Sequence, residues 1–381
     1  MGPRERLHVQ RDKFDVPAEI AYFNTANLAP HLHAVRAAGE AALDRRSRPW
    51  TITPEDWFTD VERLRGLFGR LIGGDADGVA LIPATSYGFA VAARCVDLSP
   101  GRRILVLDEE YPSGVYTWRT AARHRGAEIL TVTRRLDEDW TQATLAAMDE
   151  TVAVVSVPNV HWTDGALIDL PRIADAAHNL GALLVIDGSQ SLGAMPFDVE
   201  EIRPDFVISV GYKWLLGPFG RGYLWMAERH RVAEPLEENW ISRADSEDFA
   251  RLVDYRDEYQ PGARRFDVGQ RTSFEITPMA IAALEQIHEW GVARIAQFLK
   301  DVTTQIASGL DGMDFDPLPE PLRGPHMLGV EVPESKRPAV IAALADANCY
   351  AALRGSSLRI APHLHTTTDD IDRFLSVLGT I

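Results

Sequence analysis

Apolar and polar positions follow two rhythms along this chain. From Asp75 onward, short runs rich in β-branched and aliphatic residues predict strands over Val79–Ile82, Ile104–Leu107, Glu128–Val132, Val152–Val157, Leu183–Ile186, Phe206–Ser209 and Tyr223–Met226. Between them, apolar residues recur every three or four positions, as in Ser113–Arg125, Gln142–Met148 and Leu170–Leu180, which predicts helices. Continuously apolar strands separated by helices indicate a mostly parallel sheet covered on both faces, an α/β doubly wound architecture. The stretch Pro235–Arg265 loses this periodicity. It is acidic, with Arg and Tyr interspersed, and reads as a long loop of the size that often carries function. Beyond it, Thr277–Trp290, Val292–Leu310, Lys336–Ala347 and Thr368–Leu378 read as helices. Met327–Val332, Tyr350–Leu353 and Leu358–Ile360 read as strands. The pattern therefore divides into a large α/β domain over residues 18–284 and a smaller α+β domain made of 1–17 and 285–381.

Charge and composition narrow the classes. With 39 basic against 55 acidic side chains the net charge is −16, which disfavours a nucleic-acid or anionic-membrane partner. Met1–Asp15 is charged throughout and lacks a secretory apolar run, and no stretch approaches the roughly 20 apolar residues that span a bilayer. A cytoplasmic location is the expectation. Two cysteines, Cys95 and Cys349, are too few for a disulfide framework or a Cys-rich zinc site, and no metal is expected. The basic residues are lopsided. Only Lys13, Lys213, Lys300 and Lys336 are lysines, and 35 of the 39 are arginine. Chemistry that needs an amine has few places to go.

Three strand ends carry polar residues, and ligands in open α/β sheets bind beyond the carboxyl ends of strands. Pro83-Ala84-Thr85-Ser86-Tyr87-Gly88 opens a helix, where free N–H groups favour a phosphate; the same residues also serve as a plain N-cap. Ile186-Asp187-Gly188-Ser189-Gln190 places a carboxylate at the end of the most apolar strand, fit for a metal, a ribose, a protonated heterocycle or a cap. Ser209-Val210-Gly211-Tyr212-Lys213-Trp214 sets a lysine among aromatic neighbours, which depresses its pKa and frees its amine as a nucleophile. Lys13, Lys300 and Lys336 lie in polar or helix-end settings. A phosphate cradle, a carboxylate and a lysine are together what pyridoxal 5'-phosphate (PLP) requires.

Val185-Ile186-Asp187-Gly188-Ser189-Gln190 and Gly211-Tyr212-Lys213-Trp214-Leu215-Leu216-Gly217-Pro218, with Tyr22-Phe23-Asn24-Thr25-Ala26 upstream, resemble the motifs of a known family. The chain is similar from about Tyr22 to its C-terminus to the fold-type I PLP enzymes of the class V aminotransferase family. That family includes cysteine desulfurases, selenocysteine lyases, kynureninase-like enzymes and isopenicillin N epimerase-like proteins. The resemblance implies the PLP-dependent transferase fold and a homodimer with the active site near the subunit interface. It makes Lys213 the Schiff-base lysine and Asp187 the partner of the pyridine nitrogen. Gln190 and Asn159 fall near the cofactor's 3-oxygen, and Thr85, Ser86 and Tyr212 hold its phosphate. Tyr111 replaces a family histidine over the ring, so an aromatic stack is kept and an imidazole lost. Gln270, with Thr272 close by, takes the position from which some relatives reach the other subunit's phosphate.

For the substrate, the resemblance assigns Arg359 in Leu358-Arg359-Ile360-Ala361-Pro362-His363 to the α-carboxylate, with Arg354 and Arg271 as lesser candidates. His161 and Trp162 follow Asn159 and are placed beside the substrate, His161 as acid/base or as structure. Cysteine desulfurases carry a mobile-loop cysteine before this arginine. Here Leu353-Arg354-Gly355-Ser356-Ser357 contains none, and Cys95 and Cys349 read as buried structural thiols. The expected activity is thus Cα deprotonation of an amino acid at Lys213 followed by side-chain elimination of the C–S lyase type. Transamination and epimerisation stay open, Tyr111 or His161 serving the latter. A non-catalytic PLP-binding regulator is the remote alternative, without the basic helix-turn-helix such proteins append.

Overall fold

The computed structural model describes residues 6–135 and 139–381; the first five residues of the expected small domain, part of the Met1–Asp15 stretch read for a secretory signal, lie outside them. Seven strands form one sheet: β1 (Val79–Ile82), β2 (Arg103–Leu107), β3 (Glu128–Val132), β4 (Val152–Pro158), β5 (Leu183–Asp187), β6 (Phe206–Val210) and β7 (Gly222–Met226). Their order is β1-β7-β6-β5-β4-β2-β3. Strand β7 runs antiparallel to both its neighbours, and the other pairings are parallel. This is the fold-type I architecture expected from the sequence.

Strand alternation divides the core. Leu81, Leu105, Leu107, Leu184, Ile186, Val207 and Tyr223 face one side, where Leu170–Asn179, Thr59–Leu71 and Ile276–Trp290 cover them. Ile82, Ile104, Val106, Val185, Phe206, Ile208 and Leu224 face the other, under Thr85–Cys95 and Pro112–Arg125. Each such side chain fully removed from water contributes about 1.5–3 kcal/mol, so the sheet centre is the rigid part of the molecule. Its carboxyl edge gathers the ends of β1, β2, β4, β5 and β6.

Three α-helices have no counterpart in the sequence reading, His33–Arg46, Thr59–Leu71 and the single turn Val199–Ile202. The first buries only Val35, Gly39 and Ala42. At Gly39 a Cβ would stand 2.9 Å from Met279 Sδ, so the lack of a side chain lets this helix close onto Ile276–Trp290.

The C-terminal unit holds a three-stranded antiparallel sheet, Ala352–Arg354, Ser357–Ile360 and Leu328–Glu331, in that order. The strand expected over Tyr350–Leu353 is split: Cys349–Tyr350 pairs in parallel with Ala21–Tyr22, and the chain then changes sheets at Ala351. Helix Val292–Gly309 serves two cores, giving Ile295 and Leu299 to the large one and Val302 and Ile306 to the small one. The acidic stretch 235–265 forms three one-turn helices and no named strand. Among the described residues no helix is long and apolar enough to cross a membrane.

Candidate active site

The carboxyl edge of the sheet encloses a cavity lined by residues following five strand ends, those of β1, β2, β4, β5 and β6: Thr85, Glu110 and Tyr111, Trp162, Asp187 and Gln190, and Tyr212 and Lys213. Lys213 is placed by a tight turn after β6. Gly211 N–H donates to Arg221 O and Gly217 N–H to Gly211 O, both at 2.8 Å. A Cβ on Gly211 would lie 2.8 Å from Arg221 O, so this closure requires glycine. Lys213 is 8% exposed, with Nζ 5.4 Å from the Tyr111 ring centre. Burial pushes its amine down to about 8 against the pull of Asp187, and the charges of Arg359 and Arg354 add to the fall.

Asp187 ends β5 and accepts Ser189 N–H at 2.8 Å. Burial raises its carboxyl, with Ser189 and the Lys213 charge acting the other way. Gln190 accepts Trp214 Nε1–H at 2.8 Å and donates to Ala26 O at 3.1 Å, which leaves one amide N–H available. Thr85 begins a helix whose N-cap is Ala84, a residue with no side-chain acceptor. No side chain caps the first turn, although Tyr87 N–H bonds back to Ala84 O, so Thr85 brings an uncapped helix start to the cavity. Ser86 turns to solvent and is absent from the lining.

The segment after β4 departs from expectation by parity. Pro158, Val160 and Trp162 line the cavity, so Asn159 and His161 point away from it. Asn159 donates to Ile168 O at 3.3 Å and borders a separate cleft with Thr141 and Met195. His161 is 1% exposed and stacked on Trp140, with Nδ1 bonded to Thr163 Oγ1 at 2.8 Å and Nε2 to Asp108 O at 3.1 Å. Burial opposes its protonation, but Asp164 and Glu110 outweigh that and raise it. Its contacts are those of a brace.

Trp162 ties the site together. Its Nε1–H donates to Glu109 O at 2.6 Å, its ring meets Tyr111 edge-on at 5.6 Å, and its carbonyl accepts Arg359 Nη1–H at 2.7 Å. Arg359 is 1% exposed, and its Nε and Nη2 have no partner. Burial pushes this guanidinium down to about 9, and Arg354 pushes further. Arg354, with Cζ 5.9 Å from the Trp162 ring, bonds Asn27 Oδ1 at 3.2 Å. Arg271 does not come to the cavity: it binds Asp267 at 2.6 Å. Thr272 donates to Trp57 O, and Gln270 is exposed outside the cavity. Cys349 is buried and Cys95, read as buried, is half-buried; neither lines the cavity.

Glu110 is the residue that sequence reasoning missed. Its Oε1 accepts Tyr111 N–H at 2.7 Å, and Oε2 has no partner. The available signal was a second carboxylate directly before the aromatic residue of a strand-end loop.

The model of the Aminotransferase class-V family matches residues 54–374, and the chain belongs to that family. It is 32% identical over 282 residues to a kynureninase of Deinococcus radiodurans, covering 71% of this chain and 66% of that protein. The chain thus spans slightly under two thirds of this relative's length. It is 26% identical over 339 residues to the isopenicillin N epimerase of Streptomyces clavuligerus, 84% of each. A solved C-DES mutant with glycine covalently linked to its PLP cofactor superposes with a TM-score of 0.88 at 18% identity, over 97% of this chain and 99% of that one. The protein is a PLP-dependent class V enzyme acting on an amino acid. The helix at Thr85 without a side-chain cap and the Asp187 and Lys213 side chains buried in one cavity wall fit PLP by geometry.

Proposed function

We propose that this enzyme eliminates a substituent from the side chain of its amino-acid substrate, as a C–S lyase does, without a persulfide cysteine. The observation that carries this reading is the pairing of a depressed amine with an unpartnered guanidinium in a site whose wall holds no thiol. When bound, PLP supplies the electron sink that stabilises negative charge at Cα.

The chain's own residues do the rest. Arg359 offers Nε and Nη2 to the α-carboxylate, a two-point fit for a planar anion. Trp162 ties Arg359, through its carbonyl, to the 108–111 loop, through its indole, and so would set where a carboxylate bound at Arg359 sits relative to Tyr111. Lys213 Nζ, once free, takes the Cα proton and returns it to the departing group. With the cofactor bound, Asp187 would hold the proton on the ring nitrogen, Tyr111 would cover the ring, Gln190 would offer its spare N–H to the 3-oxygen, and Thr85 and Tyr212 would hold the phosphate. A homodimer in the cytoplasm belongs to the same reading, with Gln270 directed to the partner's site.

The test follows cofactor and product together. With candidate amino acids, elimination yields ammonia and a keto acid while the cofactor stays in its resting form. Accumulation of the pyridoxamine form, cleared by an added keto acid, overturns elimination in favour of transamination.

A further inference from the structure

The role given to Gln190 depends on where its amide points, and the chain holds that residue from two sides. Trp214 Nε1–H donates to its Oε1, and its own Nε2–H reaches Ala26 O. The backbone is held by a residue distant in the chain: His326 Nε2 lies 2.5 Å from Gln190 O. A carbonyl oxygen only accepts, so Nε2 carries the hydrogen and Nδ1 is bare. The His326 ring also meets the Trp214 indole edge-on, with centroids 4.4 Å apart. One imidazole thus touches both Gln190 and the side chain that grips its amide.

That imidazole is itself firmly placed. It lies just before the strand Leu328–Glu331 and is 0% exposed. Thr303 Oγ1–H donates to Pro325 O and Gly324 N–H to Gly165 O, both at 2.9 Å, so the two residues ahead of it are pinned. A Cβ on Gly324 would stand 3.0 Å from His326 Cε1, so a side chain there would crowd the ring. Burial pushes the imidazole down to about 4 against the bond to Gln190 O, which keeps it neutral near pH 7.

We propose that His326 is a positioning residue for the cofactor's 3-oxygen: its N–H on Gln190 O and its edge on Trp214 set the direction of the spare Gln190 amide N–H. This rests on the assignment of Gln190 to the 3-oxygen made above.

A second histidine separates positioning from the filling of space. His363 meets the same indole with centroids 5.9 Å apart and is also 0% exposed, yet neither of its ring nitrogens has a partner. It packs beside Trp214 as any ring of its size would. His326 adds a directed donor.

The experiment compares PLP-loaded full-length proteins. In the cofactor the 3-oxygen and the imine nitrogen share a proton, and a donor on the oxygen weakens the hold of the pair on it. His326→Leu should therefore raise the pH midpoint of the near-visible band by roughly half to one pH unit. His326→Gln, whose amide nitrogen matches the Nε2 position, should restore the wild-type midpoint. His326→Asn, whose amide nitrogen matches Nδ1, should not. His363→Leu should leave the midpoint in place. Gln190→Ala should give the full rise, and adding His326→Leu to it should change nothing more. An unmoved midpoint in His326→Leu, equal midpoints for His326→Gln and His326→Asn, or a rise as large in His363→Leu overturns the proposal. If His326→Leu fails to fold, the comparison of His326→Gln with His326→Asn still decides it. Gln190→Ala alone tests the assignment beneath. No rise there removes Gln190 from the 3-oxygen and the proposal with it, whereas a rise there and none at His326 overturns the role of His326 alone.

Discussion

The charge buried around Asp267 and the charge buried around Lys213 are treated in opposite ways. Around Asp267 nearly everything is paired. Oδ1 accepts Arg65 Nη1–H at 2.9 Å and Leu81 N–H at 2.8 Å, while Oδ2 accepts Arg65 and Arg271 at 2.6 Å each. Arg65, Asp267 and Arg271 side chains are all 0% exposed, and in this cluster only Arg271 Nε lacks an acceptor. Around Lys213 the reverse holds. Glu110 Oε2, Ser189 Oγ and Arg359 Nε and Nη2 are sealed and unpartnered, and the lysine is pushed toward neutrality. Buried polar groups are ordinarily satisfied, so a cluster of exceptions marks where a ligand completes the structure. One group of charges holds the chain together; the other is held ready by it.

Removing the amine breaks the second group at its centre. Lys213→Ala should abolish the covalent attachment that borohydride fixes and lower kcat by about 10²–10⁴-fold, the range for a lost acid/base group. Its melting curve should change little, since a desolvated cation is being removed. Retention of the near-visible cofactor band, resistant to dialysis, would sink the assignment of Lys213.

The Asp267 cluster should answer the other way. Asp267→Ala leaves Arg65 and Arg271 buried without their anion, a change that costs about 3–5 kcal/mol. Urea unfolding should show that loss, while the fraction still folded binds PLP normally. A variant of wild-type stability that had lost the cofactor would reverse the roles given to the two clusters.

Arg359 sharpens the comparison because it belongs to the unsatisfied group. Arg359→Ala removes a charge-assisted contact worth about 1.5–3 kcal/mol, so KM should rise roughly tenfold to a hundredfold. Stability should hold or improve, because an unpaired buried cation is gone. If stability instead fell as for Asp267→Ala with KM unchanged, Arg359 would be structural.

How much of this was legible in the sequence follows the same division. Lys213, Asp187, Gln190, Tyr111, Tyr212 and Thr85 converge because each closely follows a strand end, and the apolar runs located those ends. Asn159 and His161 lie outside the cavity lining by parity. Strand β4 continues through Pro158, and a period of two sends alternate residues to opposite sides. Ser86 lies outside the lining for a related reason: one step into a helix rotates the side chain away from the residue before it. Helix His33–Arg46 went unseen because its buried face is valine, glycine and alanine, too small a stripe to read as amphipathic. Glu110 was passed over because a carboxylate in a loop looks solvated until the fold closes over its tip.

The smallest expected effect separates the two groups by pH. Asp267 is held below the usual carboxylate range: burial alone would raise it, but the guanidinium groups of Arg65 and Arg271 win. A group whose folded pKa is depressed contributes stability above its unfolded value near 3.8 and loses it as pH falls. Glu110 has the opposite sign. With its folded value raised from 4.5 to about 7, the folded state binds the extra proton between those values. Its contribution is full below about pH 4.5 and is lost as pH rises through 7, at most roughly 3 kcal/mol. The cofactor-free protein should therefore weaken between pH 5 and 8, and Glu110→Gln should flatten that slope while leaving the acid limb, to which Asp267 contributes with other depressed carboxyls such as Asp164 and Glu62, where it was. Urea midpoints across pH 3–9 for the two proteins measure it. Parallel slopes from pH 5 to 8 would mean that Glu110 titrates as an ordinary surface carboxyl, and that the cavity's unpaired charge ends at Asp187 and Lys213.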